Sequence, residues 1–369
     1  MINPFYEKLA KLVVNYSIGV KRGDRVFLDG LCFTKELLLA IYVEVIKAGG
    51  HPLLKPKIDG TEELFMKYAS NEQLLYYDEA MKKIFEEFDC YIMVKTDYNT
   101  RRLSLIDPKK LATRQSSPKA LEILKIFQER SAKKDLRWVI LPFPSNALAQ
   151  EADMDLFNYT EFIEKALFLD KEDPIGEWTK VKKEQEKIVE FLNERNNFRI
   201  ISEDTDLILS TKGRTWINCC GTENLPDGEV FTSPVENSVN GYIRFSYPGI
   251  YQGREIENIF LEFKEGKVIN GTADKGQDLL DEILKIKNAN ILGEFAIGTN
   301  YGITEFTKNM LFDEKIGGTI HCALGLALPE AGGTNMSTIH WDLLKNMKIA
   351  GSKIFADGKT VYEEGKWKI

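Results

Sequence analysis

The 369-residue chain has three histidines, and two of them, His321 and His340, fall in one stretch, DEKIGGTIHCALGLALPEAGGTNMSTIHWD, which runs from Asp313 to Asp342. Each has a carboxylate close by. Glu314 comes shortly before His321, and Asp342 follows His340 in His-Trp-Asp. On a strand the repeat is two, so a His-x-Asp pair presents both side chains on one face. Imidazole and carboxylate are the groups that hold a divalent cation of the zinc type. The same pairs also read as plain hydrogen-bonded couples, so the rest of the chain must decide. The clustering of scarce histidines points toward a metal, because such sites are assembled from clusters.

Two further acids join them. Glu229 follows the turn Pro226-Asp227-Gly228 and opens a strand. Glu294 is alone in the apolar, glycine-rich run ILGEFAIGTN. Burying a lone carboxylate costs several kcal/mol unless it is paired or metal-bound. A buried salt bridge and a metal both satisfy that condition. Glu229, Glu294, Glu314, His321, His340 and Asp342 make four carboxylates and two imidazoles with no cysteine. A structural zinc site favours Cys and His. This set suits a hydrolytic centre with two ions about 3.5–4 Å apart and one carboxylate between them.

The elements that must position these residues differ between the two halves. Over 1–180, helical spacing alternates with short apolar runs. Helices are expected over 3–17, 34–48, 62–87 and 118–130, and strands over 26–28, 52–57, 90–94 and 138–141. That alternation predicts an α/β domain with a mainly parallel sheet. His51 sits at a helix-to-strand turn and reads as structural or solvent-facing. No G-x-G-x-x-G or G-x-x-x-x-G-K follows the first strand, so nucleotide binding has little support. Over 181–369 the pattern becomes strand-like, with turns at Asp227-Gly228, Asn240-Gly241, Glu265-Gly266 and Asp357-Gly358. One helix intrudes, over 276–287. This half reads as a β-rich α+β domain that carries the metals.

Composition narrows the partners. A net charge of −7 without a basic stripe argues against nucleic acid. No apolar run approaches the ~20 residues that cross a bilayer. Five cysteines, an odd number without a C-x-x-C pair, fit a reducing cytosol better than a disulfide framework. The N-terminus has no long apolar region, and a cytoplasmic protein is expected.

Nearly end to end, the chain resembles the aminopeptidase T family of dinuclear metallo-aminopeptidases. The resemblance is carried by LAKLVVNYSIGVKRGDRV, KGRTWIN, NLPDGEVFTSPVENSVNGYIRFS, YQGREIENIFLEF, LGEFAIGTNYGITEFTKNMLFDEKIGGTIHCALG and STIHWDLL. It implies that Glu229, Glu314, His321, His340 and Asp342 are metal ligands, and that Glu294 is the catalytic carboxylate shared by both ions. It also implies a metal-activated water in place of a Ser or Cys nucleophile, and two ions of zinc, cobalt or manganese. Short peptides are the implied substrates and a homodimer the implied assembly. Asn300, Asn335 and Ser337 are candidates for orienting the ligands. Arg214, Arg244 and Arg254 read as substrate-carboxylate contacts or as ion pairs.

The chain departs from the family at one position. Relatives carry a tyrosine seven residues after the histidine of HxALG, thought to stabilise the tetrahedral intermediate. Here the residue is Leu328, which has no donor. Losing one oxyanion donor costs about 10²–10³ in kcat. Tyr301 is either a substitute or a packing residue. Two other readings therefore stand beside a peptidase. One is a relative that binds metal or peptide without efficient turnover, and the other is a metal-dependent amidohydrolase of another substrate.

Overall fold

A computed structural model describes residues 3–369. The chain divides into two compact units. One comprises Met1–Glu164, Leu169–Ile175 and Gly221–Leu225, and the other Lys165–Phe168, Gly176–Cys220 and Pro226–Ile369.

The first unit is built on a parallel sheet of four strands: β1 (Arg25–Leu31), β2 (His51–Lys57), β3 (Cys90–Lys95) and β4 (Arg137–Pro142). Their order is β2-β1-β3-β4. The helix Lys35–Lys47 connects β1 to β2 and buries Leu37, Leu38, Ile41 and Val45 of the face its spacing predicts, whereas Ile46, expected on that face, is exposed. The stretch expected as one helix over 62–87 forms three: Thr61–Tyr68, Asn71–Leu75 and Glu79–Glu87. Local capping explains the breaks. Ser70 and Gln73 form a capping box, and the Asp78 carboxylate accepts from the Ala80 amide. These side chains offer the backbone a new helix start that competes with continuation. His51 is exposed at the start of β2.

The second unit holds two larger antiparallel sheets. Eight strands form one of them, from Asn197–Ser202 through the hairpin Lys353–Ala356 and Lys359–Glu363 to Lys366–Trp367. The hairpin turns at Asp357-Gly358, with both residues at positive φ (47° and 80°), as a two-residue turn of this hand requires. The other sheet has five strands: β5 (Ile217–Cys219), β6 (Glu229–Thr232), β7 (Leu292–Gly298), β8 (Thr319–Gly325) and β9 (His340–Asn346). Their order is β9-β8-β7-β6-β5. One face of this sheet contributes Val230, Phe295, Ile297, Ile320, Cys322, Leu324, Trp341 and Leu343 to the unit's main apolar core. In a strand alternate residues face opposite ways, so the remaining residues stand on the other face. Among the described residues no helix is long and apolar enough to cross a membrane.

Candidate metal centre

Strand register decides which side chains meet. Glu294 pairs with Ala323, and Ala323 with Asp342. Ala296 pairs with His321 and with Phe231. Gly298 pairs with Glu229, which pairs with Cys219, and Gly325 pairs with His340. Cross-strand partners share a face. Glu229, Glu294, His321, His340 and Asp342 thus stand together on the face of the five-stranded sheet that points away from the main core.

Their polar atoms form two adjoining groups. In the first, His321 Nε2 lies 3.4 Å from Glu229 Oε2 and 3.3 Å from Glu294 Oε1. In the second, His340 Nε2 lies 3.0 Å from Glu294 Oε2 and 3.5 Å from Asp342 Oδ1. Glu294 gives one oxygen to each. Ligand bonds of about 2.0–2.2 Å around a tetrahedral ion put neighbouring donors about 3.3–3.6 Å apart. The observed separations are close to such edges, and both triplets have the donor types a divalent cation takes. Glu229 Oε2 and Asp342 Oδ1 are buried without a hydrogen-bond partner. A buried carboxylate oxygen without a partner is costly. An ion in each group would satisfy these atoms, so the residues fit the group that their chemistry suggests.

The surroundings aim these donors. His340 Nδ1 lies 2.8 Å from the Leu326 carbonyl. A carbonyl only accepts, so Nδ1 carries the hydrogen and Nε2 faces the carboxylates. At 27 % exposure the His340 side chain is the open side of the cluster, whereas His321 is 1 % exposed. Gly228, immediately before Glu229, has φ +115°, and a Cβ there would lie 2.8 Å from the Asn300 Cβ. Gly298, opposite Glu229, leaves room for the Ile316 carbonyl, which would lie 2.2 Å from a Cβ. That close approach lets the segment after Glu314 cross the strand.

Charge balance explains the ionisation. Burial works against a charged His340, but Asp342 and Glu294 outweigh it and raise its pKa to about 12. His321 is likewise opposed by burial, yet its bond to Glu294 and the Glu229 charge raise it to about 9. Burial alone would lift Glu294, and the two imidazoles instead hold it well below the carboxylate range. Burial lifts Glu229 to about 8 against the pull of Lys315 and His321. The cluster is short of positive charge, and its imidazoles take up protons to supply it.

Glu314 is the expected ligand that enters neither group. It follows the short helix Met310–Asp313, and its Oε1 accepts from Lys315 Nζ. Lys315 is 1 % exposed, and its Nζ also donates to Glu229 Oε1 at 2.7 Å. Burial opposes its charge, but Glu229, Glu314 and Asp227 hold the amine well above the usual lysine range. Lys315 was not anticipated from sequence. The available signal was a cation opening the glycine-rich and apolar run IGGTIHCALG.

Gln185 also went unmarked, and no motif distinguishes it within its charged helix. It is 1 % exposed. Its Nε2 donates to the Glu229 carbonyl at 2.8 Å and the Cys219 carbonyl at 2.9 Å, and its Oε1 accepts from the Thr299 hydroxyl. It therefore clamps β5 and β6 behind Glu229.

Most of the other sequence candidates bond or pack with groups outside the two donor groups. Asn300 donates to the carbonyls of Asp227 and Ala166, Asn335 to those of Gly325 and Asn288, and Ser337 to that of Lys287. The Tyr301 hydroxyl donates to the Gly365 carbonyl at 2.6 Å. Leu328 packs with Ala331 and with Phe231 and Ala296, which lie on the strands that carry Glu229 and Glu294. Arg214 pairs with Glu236, and Arg244 with Asp204.

A family model described as thermophilic metalloprotease (M29) matches residues 3–367. The chain belongs to the M29 metalloprotease family. This M29 chain is 25 % identical over 408 residues to aminopeptidase 2 of Geobacillus stearothermophilus, covering 98 % of the chain and 97 % of that protein. Among solved structures it is similar to wild-type AmpT from Thermus thermophilus, with a TM-score of 0.85 at 22 % identity over 99 % of both chains. A more distant likeness, with a TM-score of 0.58 at 13 % identity, is to 2,5-dihydroxypyridine dioxygenase from Pseudomonas putida KT2440, covering 100 % of this chain and 98 % of that one. The M29 fold thus resembles that of an enzyme with other chemistry, so function has to be argued from the site.

Proposed function

We propose that this chain is a metal-dependent aminopeptidase that releases N-terminal residues from short peptides. The observation that carries the reading is the pair of donor groups joined by Glu294, one with Glu229 and His321 and one with His340 and Asp342. In this reading the two groups are adjacent cation positions, and zinc, cobalt or manganese suits their N/O donors. Bound there, divalent ions lower the pKa of a water and polarise the scissile carbonyl. The chain's own residues do the rest. Glu294 holds the two positions together, and His340, fixed by Leu326, sits on the side open to substrate.

Apo protein reloaded with zinc, cobalt or manganese should release amino acids from short peptides and aminoacyl-anilides, and a chelator should abolish release. Glu294→Gln should fold, lose bound metal and lose release. A fully loaded protein that acts on no member of an aminoacyl panel would favour the second reading, metal or peptide binding without efficient turnover. Leu328 supports that alternative, because it puts an apolar side chain against the strands that carry Glu229 and Glu294 while the Tyr301 hydroxyl is engaged elsewhere. Cleavage of acylated amides instead would favour a different amidohydrolase.

A further inference from the structure

Lys315 Nζ lies 2.7 Å from Glu229 Oε1 and also donates to Glu314 Oε1, in a place with almost no solvent. Glu229 consequently has one oxygen, Oε1, committed to an ammonium, and only Oε2 turned to His321. Glu314, the fourth carboxylate of the cluster, spends an oxygen on the same ammonium and is absent from both donor triplets. A third triplet, Cys219, Asp227 and Glu229, also has donor atoms within 4.8 Å of one another. Lys315 bonds both Glu229 and Glu314, and so places a fixed positive charge on the Glu229 side. On the other side, among the described residues, Glu294 and Asp342 pair with His340 and not with a lysine or arginine.

We propose that Lys315 is a positioning residue and a resident cation of the centre: it restricts Glu229 to one metal-facing oxygen, withholds Glu314 from the ions, and makes the Glu229 position the weaker of the two. The inference rests on the metal-centre reading above. Its physical basis is direct. A unit positive charge on one oxygen of Glu229 repels a divalent ion on the other, and little solvent lies between them to screen it. This repulsion acts on the Glu229, Glu294 and His321 triplet and leaves the Glu294, His340 and Asp342 triplet to fill first. Outer partners of this kind change metal affinity by about 10–100-fold.

The test is stepwise titration of the metal-free, full-length protein with zinc and with cobalt, followed by calorimetry and by cobalt absorption. The wild type should take one ion tightly and a second at least about 10-fold more weakly. Glu229→Gln should remove the weaker step and keep the tight one. Lys315→Met should strengthen the weaker step by about 10–100-fold, and Lys315→Arg should preserve the gap. Lys315→Met leaves two buried carboxylates without their cation and can fail to fold, in which case the wild type and Glu229→Gln still decide. Two equal sites in the wild type, loss of the tight step in Glu229→Gln, or an unchanged weak step in folded Lys315→Met would each overturn the proposal. Binding of no ion would overturn the metal-centre reading and this inference with it. Equal binding of two would overturn this inference alone.

Discussion

Glu294 shows how a single residue organises the site. It is 4 % exposed, within a strand that is buried along its whole length, and has one oxygen toward each histidine. Its importance was legible in the sequence, because an acid inside ILGEFAIG demands compensation. The pairing of Glu314 with Lys315 was not legible. Its neighbour, Lys315, captures it, and no spacing rule reports which of two adjacent charged residues turns inward.

Protonation supplies one prediction at this scale. Without an ion, His321 and His340 titrate at about 9 and about 12, so both carry protons near neutral pH. A divalent ion requires their Nε2 lone pairs, so binding must expel protons. Affinity should therefore rise with pH from neutrality upward, through the range in which the two imidazoles lose their protons, with proton release visible by calorimetry in buffers of different ionisation enthalpy. Affinity that does not change with pH, with no proton released, would contradict this account of the cluster.

Leu328 supplies another. If turnover is limited by the missing donor, Leu328→Tyr should raise kcat on aminoacyl-anilides by about 10²-fold or more at unchanged metal content. A variant with unaltered kcat would show that the tyrosine's work is done by another group.

At the scale of elements, the alternating face of the five-stranded sheet does the positioning. The strands themselves were legible from turns such as Asp227-Gly228 and from apolar runs. Their order was not, because nothing in a single sequence states that β7 lies between β6 and β8. Without that order, Glu229 and His321, 92 positions apart, cannot be placed beside the same carboxylate. The long helix expected over 62–87 failed for a local reason, since Ser70 with Gln73 and Asp78 restart the helix.

The Gly228 turn tests the dependence of site on element. Gly228→Ala would force a left-handed φ of +115° on an L-residue and press its Cβ against Asn300. Strain of this kind costs about 1–3 kcal/mol. Thermal unfolding should show a lowered midpoint, and metal titration a loss of affinity at the Glu229 step. A variant as stable as the wild type, with both steps intact, would show that the turn does not aim Glu229.

For the molecule as a whole, the division of labour follows the change in pattern along the chain. Alternating helices and strands give the parallel sheet of the first unit, and the strand-rich remainder gives the antiparallel sheets of the second. Every residue of the two donor groups belongs to the second unit. The family match spans residues 3–367, so both units belong to one M29 chain.

The most direct measurement is anomalous diffraction from crystals grown with zinc or cobalt. The account predicts a peak among Glu294, His340 and Asp342, joined at higher metal concentration by a second among Glu229, Glu294 and His321. A metal-saturated crystal with no peak within bonding reach of Glu294, and with both histidines still in direct contact with the carboxylates, would contradict it.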